Sequence, residues 1–386
     1  MAENGHLYFD NAATSYPKPA EVYAALDRYA REEGGSAGRG AHARAVAGSR
    51  LLFNLREELA ALLGGHPDRL VLTRHATEAL NLALFSLIEP GAVVAHGALE
   101  HNAVMRPLQH LAATRGVRLL EIPGDADGRL TPDALRRALA AEPIAAVVTL
   151  HGSNVNGAIQ DLAALGELCR AREIPFIVDA AQTAGCWPID QEAMGIDALC
   201  VTGHKSLLGP TGVGALLLAA RVAERVAPLV HGGTGSESEK ETMPDFLPDR
   251  LEAGTPNTFG AAGLLAGVRY VTRRTVAAVR RHEDELRGRL RERLRAIPGL
   301  RVLAADGDAL AVVSVVGAVA PSDLAFLLSE RYGIATRAGL HCAPRAHRTL
   351  GTLAMGALRL APGPLTPPAA VDEVAAALHD LLGALA

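Results

Sequence analysis

Cysteine is scarce in this chain, with 4 among 386 residues, and the four are spaced neither as CxxC pairs nor as a disulfide framework. This spacing argues against a disulfide-stapled secreted domain. The first residues, "MAENGHLYFDNAATSYPKP", lack the charged and then apolar pattern of a secretory leader. We therefore expect a cytoplasmic protein in a reducing environment. The cysteines are Cys169, Cys186, Cys200 and Cys342.

An excess of charge of one sign and a long apolar run are also missing. The net charge is -4 and the pI is about 6.4, which argues against nucleic acid as the main partner. The longest apolar candidate is interrupted by Arg221, Glu224 and Arg225, so we expect no membrane span. A chain with 49% hydrophobic and 21% charged residues is typical of a soluble globular protein, long enough for one large or two smaller domains.

The usual phosphate-binding motifs are absent too. "TGVGALLL" has only part of the glycine pattern G-x-G-x-x-G, and no segment matches a Walker A loop. The sequence therefore disfavours an enzyme that uses a dinucleotide or a nucleoside triphosphate.

What is present from about Leu70 to Ala220 is an alternation of short apolar runs with segments of helical periodicity. This alternation predicts a mostly parallel sheet that is buried on both faces by helices. One helix is expected after Thr131, which suits the cap position, with Pro132 in its first turn. The predicted strands are "RLVLT", "AVVAH", "VRLLEIP", "IAAVVTLH", "PFIVDAA", "DALCVTG" and "GALLLAA".

After about Thr255 the pattern changes to one long or two consecutive amphipathic helices, followed by short strands and further helices. We interpret this part as a smaller α+β domain. The predicted fold class is α/β, with a large domain of mostly parallel sheet at 15–258 and a small domain formed by 1–14 and 259–386. Residues 232–250, rich in Gly, Ser and charge, are predicted to form a surface loop.

The segment "IDALCVTGHKSLLGPTGVGALLL" places Lys205 at the end of an apolar strand, in a turn of small residues. A lysine in a turn is ordinarily a surface residue, but here the small neighbours let a ligand approach the backbone. Thr202 and His204 beside it suit an anion. A lysine in such a pocket favours a Schiff base with an aldehyde cofactor, pyridoxal phosphate above all.

The other groups that this cofactor needs lie at predicted strand ends, where open α/β sheets bind their ligands. Asp179 suits the pyridine nitrogen, because a carboxylate at the end of a buried strand needs a partner. Ala76 and Thr77 open a helix whose free N–H groups favour an anion. His101 suits stacking on the ring, although a histidine there is more often an ordinary loop residue, and Asn154 suits a bond to the ring oxygen.

These motifs resemble those of the fold-type I pyridoxal-phosphate enzymes of the class V aminotransferase family. More narrowly, they resemble the cysteine desulfurases of the short-loop, selenocysteine-lyase-like group. The resemblance runs nearly from end to end of the chain. The motifs that carry it are "YFDNAAT", "ATEALNLAL", "EHNA", "SNVNG", "VDAAQ", "TGHK", "EAGTPNT" and "RAGLHCAP".

The resemblance implies roles for the residues of the cofactor site. It makes Lys205 the Schiff-base lysine, with Asp179 on the pyridine nitrogen and Gln182 near the phenolic oxygen. His101 is expected to stack on the ring and to act in catalysis. The residues implied around the phosphate are Ala76, Thr77, Thr202 and His204, joined by Thr255 of the other subunit of a homodimer.

The resemblance also implies a substrate and a nucleophile. Arg359 in "GALRLAP" matches the arginine that binds the substrate carboxylate, and a planar guanidinium suits that partner. Ala13, Asn154 and Arg337 are expected to complete the substrate site. Cys342 matches the cysteine that attacks the substrate sulfur. The implied reaction converts L-cysteine into L-alanine and passes sulfur, as a persulfide on Cys342, to an acceptor protein or thiol.

The stretch around Cys342 by itself leaves open a packed thiol, a metal ligand and a nucleophile. His341, Cys342 and His347 lack paired ligands at metal spacing, so we expect no metal. A nucleophilic Cys342 needs an accessible, somewhat mobile loop, and we expect Arg337 and His341 to favour its thiolate. The other cysteines are expected to be small buried thiols.

The sequence departs from the family pattern at two places that concern the substrate pocket. Leu340 stands where a second histidine often precedes the cysteine, and Pro362, Gly363 and Pro364 replace an aromatic residue and an asparagine. A selenocysteine lyase acting on L-selenocysteine, an aminotransferase and an epimerase stay open as alternatives with the same cofactor. A non-enzymatic thiol or metal-binding protein is the alternative of another class. Iron–sulfur cluster assembly, thiolated RNA and other pathways stay open as destinations of the sulfur.

Overall fold

The structure, a computed structural model, describes residues 7–38 and 40–385. In chain order the strands are β1 (Leu7–Tyr8), β2 (Leu70–Thr73), β3 (Val93–His96), β4 (Arg118–Glu121), β5 (Ile144–Leu150), β6 (Phe176–Asp179), β7 (Ala198–Thr202), β8 (Gly214–Leu218), β9 (Arg301–Leu303), β10 (Val313–Val316), β11 (Ile334–Ala335), β12 (Arg337–Gly339) and β13 (Ala357–Leu360). The helices are α1 (Ala20–Arg28), α2 (Ala43–Leu63), α3 (Ala76–Leu87), α4 (Asn102–Arg115), α5 (Pro132–Ala141), α6 (Leu162–Arg170), α7 (Ala220–Ala223), α8 (Thr258–Arg274), α9 (Val276–Arg295), α10 (Pro321–Tyr332), α11 (Pro344–Thr349) and α12 (Pro368–Leu385). A π-helical turn (Tyr29–Glu33) follows α1.

A sheet of 7 strands, in the order β2-β8-β7-β6-β5-β3-β4, forms the centre of the larger part. Strand β8 runs antiparallel to both of its neighbours, and the other adjacent pairs are parallel. Every residue of β3, β6, β7 and β8 is buried, because these apolar runs pack into hydrophobic cores on both faces of the sheet. The predicted strands and the predicted α/β class are confirmed.

Threonine side chains cap the helices α5 and α9 at their N-termini. The Thr131 hydroxyl accepts the N–H of Ala134 at 3.2 Å, and Pro132 occupies the first turn of α5. The long amphipathic segment after Thr255 is two helices, because Thr275 has a φ of 66° and ends α8. The Thr275 hydroxyl then caps α9 by accepting the N–H of Ala278 at 3.2 Å.

The smaller part is an antiparallel sheet of 4 strands, in the order β12-β13-β10-β9, packed against α9, α10 and α12. Strand β1 pairs in parallel with β11, which attaches the N-terminal strand to this part. Residues 225–248, all of them described, contain no helix or strand and are mostly exposed, so the predicted surface loop at 232–250 is confirmed over most of its length.

Helix α8 packs with the large sheet through Ala261, Leu264 and Val268, which share its hydrophobic core. The division at residue 258 stays a prediction, and this packing favours a boundary nearer Thr275. Within residues 7–38 and 40–385, no helix combines the length and the apolar character needed to cross a bilayer.

Candidate active site

A cavity of about 220 Å³ lies at the carboxyl ends of the strands of the large sheet. Nearly all of the predicted site residues meet there, although they come from distant parts of the chain. Thr255 and Cys342 are the exceptions. The predicted residues that line the cavity are Ala13, Ala76, Thr77, His101, Asn154, Asp179, Gln182, Thr202, His204, Lys205, Arg337 and Arg359.

Lys205 and Asp179 reach this cavity because they follow or end neighbouring strands, β7 and β6. Burial lowers the pKa of Lys205 to about 8, although the Asp179 carboxylate opposes that shift. Burial also raises the pKa of Asp179, against the N–H of Ala181, which donates to its Oδ1 at 3.0 Å. A lysine with this pKa is partly a free amine near neutral pH, the form that imine formation and proton abstraction require.

Four buried polar atoms of residues that line this cavity lack partners among the described residues, namely Thr202 Oγ1, His204 Nδ1, His341 Nδ1 and Arg359 Nε. Of these, Thr202 Oγ1 and His204 Nδ1 belong to residues that were predicted around the phosphate. Helix α3 begins at Ala76 in the same cavity, and its first N–H groups have no acceptor within their own helix. Buried polar atoms without partners are rare, so this combination fits the phosphate of a pyridoxal-phosphate cofactor.

His101 caps helix α4, and its ring is neutral. Its Nδ1 accepts the N–H of Ala103 at 3.0 Å, so the proton of the neutral imidazole lies on Nε2. Burial lowers the pKa of His101 to about 4, and the positive charges of Lys205, Arg337 and nearby arginines lower it further. The ring therefore offers the cavity a neutral flat face and one N–H donor.

Arg359 on β13 has no exposed surface, and it carries an ion pair that the sequence did not reveal. Its Nη2 donates to Asp10 Oδ1 at 2.5 Å, and its Nη1 donates to the carbonyl oxygen of Asn154 at 3.2 Å. Its Nε makes no hydrogen bond to any described residue. Asp10 and Asn154 thus fix the plane of the guanidinium and leave one of its nitrogens free.

Cys342 is exposed, and it lies beside the cavity in a groove of about 460 Å³ that shares Thr77 and His101 with it. Its backbone is unusual, because His341 and Cys342 have φ angles of 49° and 56°, in the left-handed region. Both carbonyl oxygens are held: Asn154 Nδ2 donates to that of His341 at 2.7 Å, and the N–H of Asn102 donates to that of Cys342 at 2.8 Å. The predicted accessibility is confirmed.

The expectation that His341 favours the Cys342 thiolate is wrong. His341 is 2% exposed, its Nε2 bonds the carbonyl of Ala357 at 3.1 Å, and burial lowers its pKa to about 2. A neutral ring supplies no charge to the sulfur. Arg337 does lie close, with its Nη2 at 3.7 Å from Cys342 Sγ. No cluster of metal-ligating side chains occurs in the described ranges.

The contacts of Thr255 and Gln182 with the cofactor stay predictions. Thr255 lies outside the cavity, in a separate groove of about 640 Å³ that also contains the exposed Leu229 and Val230. Gln182 lines the cavity, and its Nε2 donates to the carbonyl of Ala12 at 2.9 Å. Cys169, Cys186 and Cys200 are buried, as predicted.

Glu100 was not predicted as a site residue, although it directly precedes His101 in the chain. It is fully buried, its carboxylate accepts the N–H of Leu150 at 3.0 Å, and burial raises its pKa to about 8. Asp179 adds to this increase through like-charge repulsion. Both acids stand within motifs that carry the family resemblance, Glu100 in "EHNA" and Asp10 in "YFDNAAT", and this position was the available indication of a role at the site.

Comparisons with known proteins agree with this geometry. The family model "Aminotransferase class-V" matches residues 7–373. A protein of Pseudomonas putida named "Probable cysteine desulfurase" is 36% identical over 92% of this chain and 88% of its own length. A protein of the same name from Pyrococcus abyssi is 34% identical over 87% and 85%.

Solved structures give the same result. A cysteine desulfurase from Thermococcus onnurineus, solved in its apo form, matches with a TM-score of 0.92 and 29% identity, over 99% of this chain and 96% of that one. A cysteine desulfurase of Escherichia coli matches with a TM-score of 0.88 and 28% identity over the same shares. With its cavity, its lysine and its sequence relatives all in agreement, the chain belongs to the class V aminotransferase family.

Proposed function

We propose that the protein is a cysteine desulfurase that uses pyridoxal phosphate to convert L-cysteine into L-alanine and a persulfide on Cys342. One observation carries the proposal: the exposed Cys342 thiol borders the cavity that contains the buried Lys205 amine. An aminotransferase or an epimerase has no need of a thiol there. The similarity to proteins named as cysteine desulfurases supports the same assignment.

The residues that would hold the cofactor are those that line the cavity. Thr202 Oγ1, His204 Nδ1 and the start of α3 would bind the phosphate, and Asp179 would face the pyridine nitrogen. His101 offers a face for stacking. When bound, the cofactor acts as an electron sink for the α-carbon of an amino acid.

The chain's own groups then orient the substrate and move its protons. The Arg359 guanidinium, fixed by Asp10, would bind the substrate carboxylate. With its pKa lowered to about 8, Lys205 Nζ can accept the α-proton near neutral pH. His101 would hold a proton on Nε2 toward the reacting sulfur.

The sulfur transfer balances without a further reactant. The Cys342 thiolate attacks the substrate sulfur, a sulfur–sulfur bond forms, and the bond between sulfur and the substrate β-carbon breaks. The β-carbon keeps the electron pair and takes up a proton to give alanine. Arg337, with Nη2 at 3.7 Å from Sγ, would stabilise the negative charge on the attacking sulfur.

The proposal also includes an oligomeric state, a sulfur acceptor and a cellular compartment. We propose a homodimer in which Thr255 of one subunit contacts the phosphate of the other, since Thr255 lies outside the cavity of its own chain. An acceptor protein or thiol would take the sulfur from exposed Cys342. The free state of all four cysteines suits the reducing, cytoplasmic compartment that we propose.

The decisive experiment measures alanine and protein-bound persulfide after the purified protein is mixed with L-cysteine, and separately with L-selenocysteine. In a single turnover with L-cysteine we expect alanine and persulfide in equal amounts, and no persulfide in the Cys342→Ser variant. The matched control is Cys169→Ser, whose thiol is buried in α6.

The proposal is wrong if Cys342→Ser still releases sulfur from L-cysteine at the rate of the unaltered protein. Activity on L-selenocysteine alone would favour a selenocysteine lyase. A colourless protein that borohydride leaves unchanged would contain no lysine imine, and would support a non-enzymatic thiol protein.

A further inference from the structure

Lysine is rare in this chain, and it occurs next to the candidate active site twice. Among its 38 lysines and arginines, the lysines are Lys18, Lys205 and Lys240. Lys240 lies in the surface loop and pairs with Glu237. Arginine supplies nearly all of the positive charge, and a guanidinium does not have the compact donor geometry of a lysine ammonium. Lys205 and Lys18 are the two lysines beside the candidate active site.

The Lys18 ammonium contacts the backbone that carries Lys205. Its Nζ donates to the carbonyl oxygen of His204 at 2.9 Å and to Ser15 Oγ at 2.6 Å. The same carbonyl accepts the N–H of Ser15 at 3.0 Å. The segment that contains Ser15 and Lys18 is therefore fastened to the turn between β7 and Lys205.

The direction of these hydrogen bonds follows from the donor inventory. An ammonium only donates, so Ser15 Oγ must accept from Lys18 and has one proton left to give. Ser15 Oγ lies 2.9 Å from the carbonyl oxygen of Lys205, and it is further, at 3.1 Å, from that of His204. Lys18 thus binds the peptide group before Lys205 directly, and the one after it through Ser15.

Among the described residues, the Lys18 ammonium has no carboxylate partner that would explain its position. It is half-buried, burial lowers its pKa to about 8, and it forms no ion pair with any residue in 7–38 or 40–385. A partly buried ammonium without a carboxylate is costly, and only these oxygen contacts compensate for it. Its charge also acts on the neighbouring His204, whose pKa it helps to lower.

We propose that Lys18 is a positioning residue, which uses Ser15 and the His204 carbonyl to fix the peptide groups on both sides of Lys205. The Lys205 amine is then presented to the cofactor and the substrate in one orientation. This inference rests on the proposed function, in which Lys205 binds the cofactor.

The test compares Lys18→Met with the unaltered holoenzyme and with Lys240→Met. The induced visible circular dichroism of the bound cofactor reports how rigidly Lys205 holds it. We expect Lys18→Met to keep the lysine imine absorbance but to lose at least about half of the dichroic amplitude. We expect kcat to fall roughly ten- to hundred-fold, as the loss of a charge-assisted hydrogen bond implies, with KM for L-cysteine within about two-fold. Lys240→Met should match the unaltered protein.

A second variant, Ser15→Ala, covers the case in which Lys18→Met does not fold. It removes the link to the Lys205 carbonyl and should reduce the dichroic signal in the same direction. The inference is overturned if both signal and kcat are unchanged in whichever variant folds, or if Lys240→Met shows the same losses. If the unaltered protein itself forms no imine, the proposed function fails, which is a distinguishable result.

Discussion

Glu100 is a buried acid whose protonation affects the stability of the cofactor-free protein. Its pKa in the folded protein, raised by burial to about 8, is above the ordinary value of 4.5 that applies when the chain unfolds. Between these values the folded state keeps a proton that the unfolded state has lost. The stabilisation is therefore complete below about pH 4.5 and is lost as pH rises through about 8.

The variant Glu100→Gln mimics the protonated acid and removes this pH dependence. We expect its free energy of unfolding, relative to the unaltered protein, to rise from pH 5 to pH 8, by at most about 1.4 kcal/mol per pH unit. Guanidinium unfolding of both cofactor-free proteins at several pH values measures the difference. Glu89→Gln, in an exposed turn after α3, is the control. A difference that stays constant with pH would contradict the assignment.

Arg337 and His341 both lie near the Cys342 thiol, but only the structure distinguishes their effects on it. His341 directly precedes Cys342 and Arg337 lies five residues before it, and both were predicted to favour the thiolate. The structure separates them, because burial among β13 atoms keeps His341 neutral while the Arg337 guanidinium reaches the sulfur. Burial depends on the tertiary structure, so the spacing of residues along the chain does not predict it.

At the scale of elements, the loop from β12 to α11 holds Cys342 in a strained backbone. Left-handed φ angles at two successive residues with side chains are unfavourable and persist only when the surroundings enforce them. The bond from Asn154 Nδ2 to the His341 carbonyl, at 2.7 Å, is one of the contacts that do so.

Asn154→Ala should therefore loosen this loop. We expect hydrogen exchange of a peptide covering residues 338–345 to speed up roughly ten-fold, as the loss of one buried hydrogen bond predicts. Asn156→Ala is the matched control, because the Asn156 side chain bonds the carbonyl of Asp127 instead. Equal exchange in the two variants would mean that Asn154 does not hold the loop.

Elements were predictable where local pattern decides them. The apolar runs fixed the strands of the large sheet, and Thr131 and Pro132 marked the start of α5. Two features depended on long-range contacts and were missed. Asp10 and Arg359 are 349 residues apart in sequence, and α8 packs on the large sheet although its amphipathic pattern continues into α9.

At the scale of the whole molecule, the groove that contains Thr255 has exposed apolar residues in its wall. It is lined in part by Leu229 and Val230, which are 44% and 54% exposed, and by Thr255. Apolar surface of this kind is typical of an interface between chains. We propose that a second copy covers this groove and that Thr255 then reaches the cavity of that copy, as the proposed homodimer requires.

Mixed dimers test this arrangement. Lys205→Ala removes the amine, and Thr255→Asp places a negative charge against the phosphate, so each variant alone should be inactive. If Lys205 and Thr255 of different chains share a site, random mixing should restore about a quarter of the activity, because half of the dimers then contain one intact site of two. Mixing Lys205→Ala with Cys342→Ser should restore nothing, because those residues border the same cavity of one chain. Recovery in both mixtures, or in neither, would contradict a Thr255 that acts across the interface.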